Sequence, residues 1–150
     1  MIKRILALRY VCKKYDLKCH WKLFGDVGWI APDDRLLCVS LFQKHFYETL
    51  YHEIGHFVAV RSLKYNVKYF KASWKSSITF GKDCAFVRLQ EEATASKFAF
   101  RFLKIKDKEY LKRAWYGYTG VVAQNMDYRD TDRFVTTVAK YNKYFDKPEV

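Results

Sequence analysis

The chain has 150 residues, half of them hydrophobic and 19% aromatic, so a single domain with a substantial core is expected and extensive disorder is excluded. The formal net charge of +12 favours partners such as nucleic acid or acidic proteins, although a solvated lysine-rich surface is the simpler explanation. No apolar run reaches the length that crosses a bilayer, and the apolar stretch near the start is too short for a secretory signal, so a cytoplasmic protein without membrane contact is expected.

The first third of the chain combines one helical pattern with strand-like runs. Residues 2–15 carry apolar side chains at helical spacing, separated by lysines and arginines. Runs with strand-like composition follow at 18–24, 28–31 and 36–41, and the Pro-Asp-Asp-Arg turn at 32–35 predicts a hairpin between the last two. The four cysteines form no Cys-x-x-Cys pair, which argues against a zinc ribbon and predicts buried free thiols.

The rest of the chain is predominantly helical in pattern. Residues 43–63 repeat apolar side chains every three or four positions, whereas 64–90 is ambiguous. Its apolar runs, which fit strands or ordered loop, lie at 67–74, 78–80 and 85–89. Further helices are predicted at 91–103 with a core face of Ala95, Phe98, Ala99 and Phe102, at 108–124, and at 131–144 with Asp130 as the N-cap.

Together these elements predict an α+β fold in which a small N-terminal sheet packs on a helical core. No repeat and no low-complexity linker divides the chain, so one domain is expected to span residues 1–150. Its central part lies at about 43–104, and its helical C-terminal part at 107–145 has no assigned role.

The central part contains the motif His52-Glu53-Ile54-Gly55-His56 inside a helical pattern. Residues four apart lie on one face of a helix, so the two histidines can direct imidazole nitrogens at one zinc ion. Glu53 can act as general base on a water whose pKa zinc lowers towards about 7. Gly55 is costly in a helix interior, which indicates a close neighbour there. A catalytic zinc has three protein ligands and an open position, so one further ligand is required.

The third ligand is expected to be a carboxylate, because no histidine follows His56. Glu91 and Glu92 stand out because both precede Ala95 at helical spacing, and a small alanine permits a close approach to the active-site helix. Spacing alone leaves the two glutamates equivalent. Either one is also explained as an acid that stabilises the N-terminus of the helix predicted at 91–103.

Residues 45–103 resemble the ImmA/IrrE family of zinc metallopeptidases, which occurs in bacteria, phages and mobile elements. The resemblance is carried by the segments TLYHEIGHFVA at residues 49–59 and EATASKFAFRFL at residues 92–103. Family members usually have Asn or Asp where this chain has Ser96, and often a proline where Lys-Ile-Lys follows the second segment.

The resemblance implies a zincin-like core in which Glu92 is the third zinc ligand beside His52 and His56, with Glu53 as the catalytic base. It also implies limited proteolysis of a cytosolic regulatory protein, typically a DNA-binding helix-turn-helix repressor. The alternative is a non-catalytic basic protein that binds nucleic acid or a repressor and holds a structural or vestigial metal. No helix-turn-helix or RNA-recognition motif is evident in the chain itself, which favours the peptidase.

Several other polar and aromatic side chains are open candidates for a role near the metal. His45 lies seven residues before His52 and is either an oxyanion donor or an ordinary surface or core histidine. A phenol donor has several sources, namely Tyr47, Tyr51, Tyr116 and Tyr118. The aromatic segment 115–118 either lines a substrate groove or, as the simpler interpretation, packs in the core.

Overall fold

The computed structural model describes residues 1–61, 82–103, 105–125 and 131–146. Its elements in chain order are α1 (Ile2–Tyr15), β1 (Lys18–Lys22), β2 (Gly28–Ala31), β3 (Leu36–Ser40), α2 (Phe46–Arg61), α3 (Lys82–Phe100), α4 (Ile105–Asn125) and α5 (Thr131–Phe145). The predicted α+β class is confirmed, with a three-stranded sheet and five helices in the described part. None of these helices combines the length and the apolar composition needed to cross a membrane.

Most predicted elements are found close to their expected bounds. Helix α1 covers the predicted range, and α2, α4 and α5 begin within three residues of theirs. The first and third strands end earlier than predicted, at Lys22 and Ser40. The predicted segments 67–74 and 78–80 and the N-cap at Asp130 lie outside the described residues.

Helix α3 differs most from the prediction. It begins at Lys82, so the strand or loop expected at 85–89 is wrong. A short apolar run does not distinguish a strand from a buried helical segment, and here the buried pair Leu89 and Ala93 has helical spacing. The helix also ends at Phe100. Phe102, which is predicted on the core face, therefore lies beyond the helix and is 46% exposed, so that part of the prediction is wrong.

The sheet places β3 in its centre, with β1 parallel on one side and β2 antiparallel on the other. The predicted hairpin is confirmed, and its turn is closed by the Arg35 amide, which donates to the Pro32 carbonyl oxygen at 3.3 Å. Leu37 and Val39 of β3 are fully buried, whereas every residue of β1 is exposed. The sheet therefore covers the helical layer mainly with its central strand.

Three of the cysteines are described, and all three are free thiols. Cys12 and Cys38 are buried as predicted. Cys19 is exposed, contrary to the prediction, because it lies on the edge strand β1. The side chain of Cys84 lies outside the described residues.

Two apolar clusters are found in the described part. The first joins α1, the sheet and α2, and includes Leu8, Leu37 and Ile54. The second joins α3, α4 and α5 around Trp115, whose indole N–H donates to Asn142 Oδ1 at 2.9 Å. The C-terminal part, which has no assigned role in the sequence, thus builds a core of its own against α3.

Candidate metal centre

The two histidines of the motif lie on one face of α2. Leu50, Ile54 and Phe57 are buried on another side of the helix, in the first apolar cluster. That packing turns His52 and His56 towards α3 and leaves their Nε2 atoms 3.1 Å apart. The prediction that both imidazoles can face one point is confirmed.

Gly55 allows α3 to approach α2 more closely than any other residue would. A Cβ atom at this position would lie 2.6 Å from the Cα of Ala95, well inside van der Waals contact. Ala95 and Ala99 are themselves fully buried. The small residues on both helices therefore bring the middle of α3 directly onto the histidine face, as the sequence predicts.

Glu92 completes a cluster of three possible metal ligands. Its Oε2 lies 3.1 Å from His52 Nε2, and its Oε1 lies 3.6 Å from His56 Nε2. One ligand atom from each of the three residues lies within 4.8 Å of the other two, so the cluster can hold a metal ion. The carboxylate that the family resemblance selects is thus the one placed beside both Nε2 atoms.

The donor set fits a zinc-sized divalent ion. Zinc binds imidazole nitrogen at about 2.0–2.1 Å, and a tetrahedral arrangement then separates two such nitrogens by roughly 3.3 Å. The 3.1 Å between the Nε2 atoms of His52 and His56 is close to that separation. Two imidazoles and one carboxylate are also a combination of ligands found at catalytic zinc sites.

The other ring nitrogens of the two histidines also have partners. His56 Nδ1 lies 3.0 Å from Glu91 Oε1, and His52 Nδ1 lies 3.3 Å from Ser96 Oγ. An N–H on each Nδ1 that donates to these oxygens leaves each Nε2 unprotonated, which is the form that binds a metal. Both contacts therefore support the tautomer and ring orientation that metal binding requires.

The two adjacent glutamates consequently have different positions. Glu92 lies on the Nε2 side of both imidazoles, and Glu91 lies on the Nδ1 side of His56. Both lie in the middle of α3 because the helix begins at Lys82, so the interpretation of either as an acid at a helix N-terminus is wrong. Ser96, which departs from the family pattern, still supplies a polar atom to His52.

Glu53 lines a cleft of about 370 Å³ together with two of the three possible ligands, His52 and Glu92. One wall consists of Thr49, His52 and Glu53 from α2, together with Gly28 from β2. The Cβ that Gly28 lacks would overlap the Thr49 side chain, so β2 lies directly on α2. Other walls come from α3, which contributes Glu92, and from α4.

The charges in the cluster act strongly on each other in the metal-free protein. Burial raises the pKa of Glu53, the two histidines partly offset this, and the neighbouring glutamates raise it further. Burial lowers the pKa of His56, but the carboxylates of Glu92, Glu91 and Glu53 outweigh burial and raise that pKa to about 10. Negative charge thus exceeds positive charge around His56, as expected for residues that would surround a cation.

His45 does not line the cleft. Its Nδ1 lies 2.9 Å from Glu48 Oε1, and its ring stacks on Tyr110 with centroids 3.8 Å apart. Tyr110, rather than His45, reaches the cleft. His45 therefore stacks on a residue that lines the cleft, and it is not itself among the described lining residues.

The four candidate tyrosines lie in different parts of the structure. Tyr47 packs against the first apolar cluster, and Tyr51 stacks on Phe102. Tyr116 donates from its hydroxyl to Asp146 Oδ1 at 2.8 Å on the surface. Of the four, Tyr118 lines the cleft.

The sequence offers segment 115–118 as a possible groove lining, but it does not reveal that residues 110, 111 and 114 of α4 belong to the same wall. Tyr110, Leu111, Ala114, Trp115 and Tyr118 line one wall. Trp115 is also buried in the second apolar cluster, so the core-packing interpretation of the aromatic segment is confirmed for this residue, and the substrate groove stays a prediction. The signal in the sequence is the helical spacing of these residues, but it does not reveal which element they face.

Comparison with models of known protein families finds no match, and comparisons with curated proteins and with solved structures find none either. Any function assigned to this protein therefore rests on its sequence and on the arrangement of the described residues.

Proposed function

We propose that this protein is a zinc-dependent metallopeptidase with a zincin-like active site that cuts a regulatory protein. The observation that carries the proposal is the convergence of His52, His56 and Glu92 within 4.8 Å. Glu53 supports it, because its side chain lines the same cleft. The family resemblance adds a substrate class, the DNA-binding helix-turn-helix repressors.

Each residue of the proposed active site would have its own role. His52, His56 and Glu92 would hold the ion, while Glu91 and Ser96 keep the imidazoles in the binding tautomer. Zinc in such a site supplies Lewis acidity, which lowers the pKa of water towards about 7 and polarises a carbonyl group. The Glu53 carboxylate takes a proton from the attacking water and returns it to the amine that leaves when the peptide bond breaks.

The openness of the site favours catalysis over a structural or vestigial metal. A structural zinc site is closed by four protein ligands, whereas this cluster combines three possible ligands with an open cleft. Among the described residues that line the cleft there is no lysine or arginine, so these residues offer no cationic contact to a nucleic-acid backbone.

The test compares the wild type with Glu53→Gln and with a control, Glu109→Gln, which removes an exposed carboxylate of α4 outside the cleft lining. All three proteins are analysed for zinc and incubated with a peptide library derived from a bacterial proteome. We expect close to one zinc per chain in all three, with cleavage by the wild type and the control only. A protein that binds no zinc under replete conditions, or a Glu53→Gln variant that cleaves as well as the wild type, would contradict the proposal.

A further inference from the structure

Asp26 is an acidic residue at the cleft to which the proposed chemistry gives no role. It lies in the loop between β1 and β2 and lines the cleft together with Glu53 and Glu92. The latter two carboxylates balance the two charges of a divalent ion. Asp26 is therefore the remaining negative charge among the described lining residues, none of which is lysine or arginine although the chain has 28 of them.

The loop that carries Asp26 is anchored at several points. The Val27 carbonyl oxygen accepts from the Ser40 amide at 2.9 Å and from Gln43 Nε2 at 3.2 Å. The Phe24 carbonyl oxygen accepts from Ser40 Oγ at 3.3 Å. These bonds hold the backbone on both sides of Asp26, a residue that lines the cleft.

Gln43 connects this loop to the active-site helix. Its amide nitrogen donates to the Val27 carbonyl oxygen, while its Oε1 accepts from Thr49 Oγ1 at 3.3 Å. Gln43 is 6% exposed, and Thr49 lies one turn before Glu53 on α2. The position of Asp26 relative to the proposed general base is thus held by a buried side-chain amide.

The cleft also offers surface for the apolar part of a long cationic side chain. Tyr110 and Trp115 on α4 line it, and the ring of Tyr110 is held by its stack on His45. Lysine and arginine side chains place their methylene groups against apolar surface and their charge beside an acid or an aromatic ring. One acidic residue on the β1–β2 loop and two aromatic residues on α4, all lining the same cleft, suit such a side chain.

We infer that Asp26 is a specificity-determining residue that selects peptides with a lysine or arginine side chain next to the bond that is cut. The inference rests on the proposed peptidase function and adds a chemical class of substrate to it. Because Asp26 is exposed, its ion pair with the substrate is partly screened by solvent. The expected preference for a charged over a neutral side chain is therefore about three- to fivefold.

The first experiment maps cleavage sites. Wild type, Asp26→Asn and Asp26→Lys are incubated with the peptide library, and the sites are read by mass spectrometry. The wild type should enrich lysine and arginine at one position beside the cut about three- to fivefold, Asp26→Asn should lose the enrichment, and Asp26→Lys should favour acidic residues there. The matched control is Asp34→Asn, which removes a charge from the β2–β3 turn outside the cleft lining and should keep the wild-type pattern.

The second experiment does not depend on turnover. Zinc-loaded Glu53→Gln protein, with and without Asp26→Asn, is titrated with two peptide hydroxamates that differ only in arginine or its neutral isostere citrulline. We expect the arginine probe to bind about three- to fivefold more tightly, and only when Asp26 is present.

Equal binding of the two probes to the protein with Asp26, or an arginine preference that survives Asp26→Asn, would overturn the inference. Failure of the peptidase proposal is seen separately, as absence of zinc or of any cleavage by the wild type.

Discussion

The backbone of Ala95 on α3 occupies the place where a side chain on residue 55 of α2 would lie. A Cβ on Gly55 would be 2.5 Å from the Ala95 carbonyl oxygen, and a backbone atom in the middle of a helix cannot move aside alone. This contact lies between His52 and His56 on one helix and beside Glu92 on the other. The close approach of the two helices is thus what brings the three possible ligands together.

Gly55→Ala should therefore destabilise the protein and weaken zinc binding. In an ordinary exposed helix this change stabilises by about 1 kcal/mol, but overpacking a closed contact costs about 1–3 kcal/mol. Urea unfolding should show a lower midpoint, and zinc titration a lower affinity, because α3 must move away from the histidines.

Gly120→Ala is the matched control for that change. Gly120 lies on α4, and apart from its chain neighbours and the backbone of its own helix no described atom comes within 4 Å of the position of its missing Cβ. The free energy of unfolding should rise by up to about 1 kcal/mol with zinc affinity unchanged. Equal stabilisation by both substitutions would show that the contact between Gly55 and Ala95 is not tight.

Removal of Glu92 and removal of Glu91 should have different effects on zinc binding. Glu92→Ala takes away a possible ligand and should abolish stoichiometric zinc binding. Glu91→Ala removes the partner of His56 Nδ1, so zinc should still bind, with an affinity lower by about 10- to 100-fold. Metal analysis and competition with a chelator measure both quantities.

Two matched changes refine that comparison. Glu91→Gln retains an oxygen that can accept from His56 Nδ1 and should recover much of the affinity lost in Glu91→Ala. Ser96→Ala tests the corresponding partner of His52 and should weaken zinc binding without abolishing it. Loss of zinc from Glu91→Ala with retention by Glu92→Ala would exchange the two roles.

The metal-free protein should lose stability as pH rises. Although burial lowers the pKa of His56, the surrounding carboxylates raise it from 6.5 to about 10, so the folded state keeps a proton that the unfolded chain releases. The resulting stabilisation is complete below pH 6.5 and is lost as pH rises through about 10. Urea unfolding in a chelator should therefore give a falling midpoint between pH 7 and pH 9.5.

Glu91→Gln tests the cause of that pH dependence. Removing one of the charges that raise the pKa of His56 should make the fall in midpoint shallower than in the wild type. Saturating zinc should also flatten it, because the metal replaces the proton on the imidazole. A steeper fall in the variant would assign the pH dependence to other groups.

Phe145 should be required for the α4 wall of the cleft. It is buried, and its ring lies 5.5 Å from that of Trp115, which lines the cleft. Phe145→Ala should cost about 3–5 kcal/mol in urea unfolding and reduce peptide cleavage. Val135→Ala on the same helix removes a side chain that is 56% exposed and should change stability by less than about 0.5 kcal/mol.

Local rules were sufficient for the features that depend on spacing along one element. The four-residue interval between His52 and His56 places both imidazoles on one helix face wherever that helix packs. Gly55 between them and Ala95 on the second helix are both small, and their size alone indicated that the two helices approach closely. Turn chemistry likewise predicted the hairpin, because the Pro-Asp-Asp-Arg segment limits the backbone locally.

The sequence by itself determined the fold class and the pairing of His52 with His56 on one helix face, because both follow from local periodicity. Only the tertiary structure decided that Glu92 lies beside the Nε2 atoms of both histidines while Glu91 contacts His56 Nδ1. Adjacent residues on a helix differ in direction by about 100°, and the packing of the two helices fixes which of them faces the Nε2 atoms. The same holds for Asp26, whose loop is held beside the cleft by hydrogen bonds from Ser40 and Gln43. Such contacts leave no periodic signal in the chain.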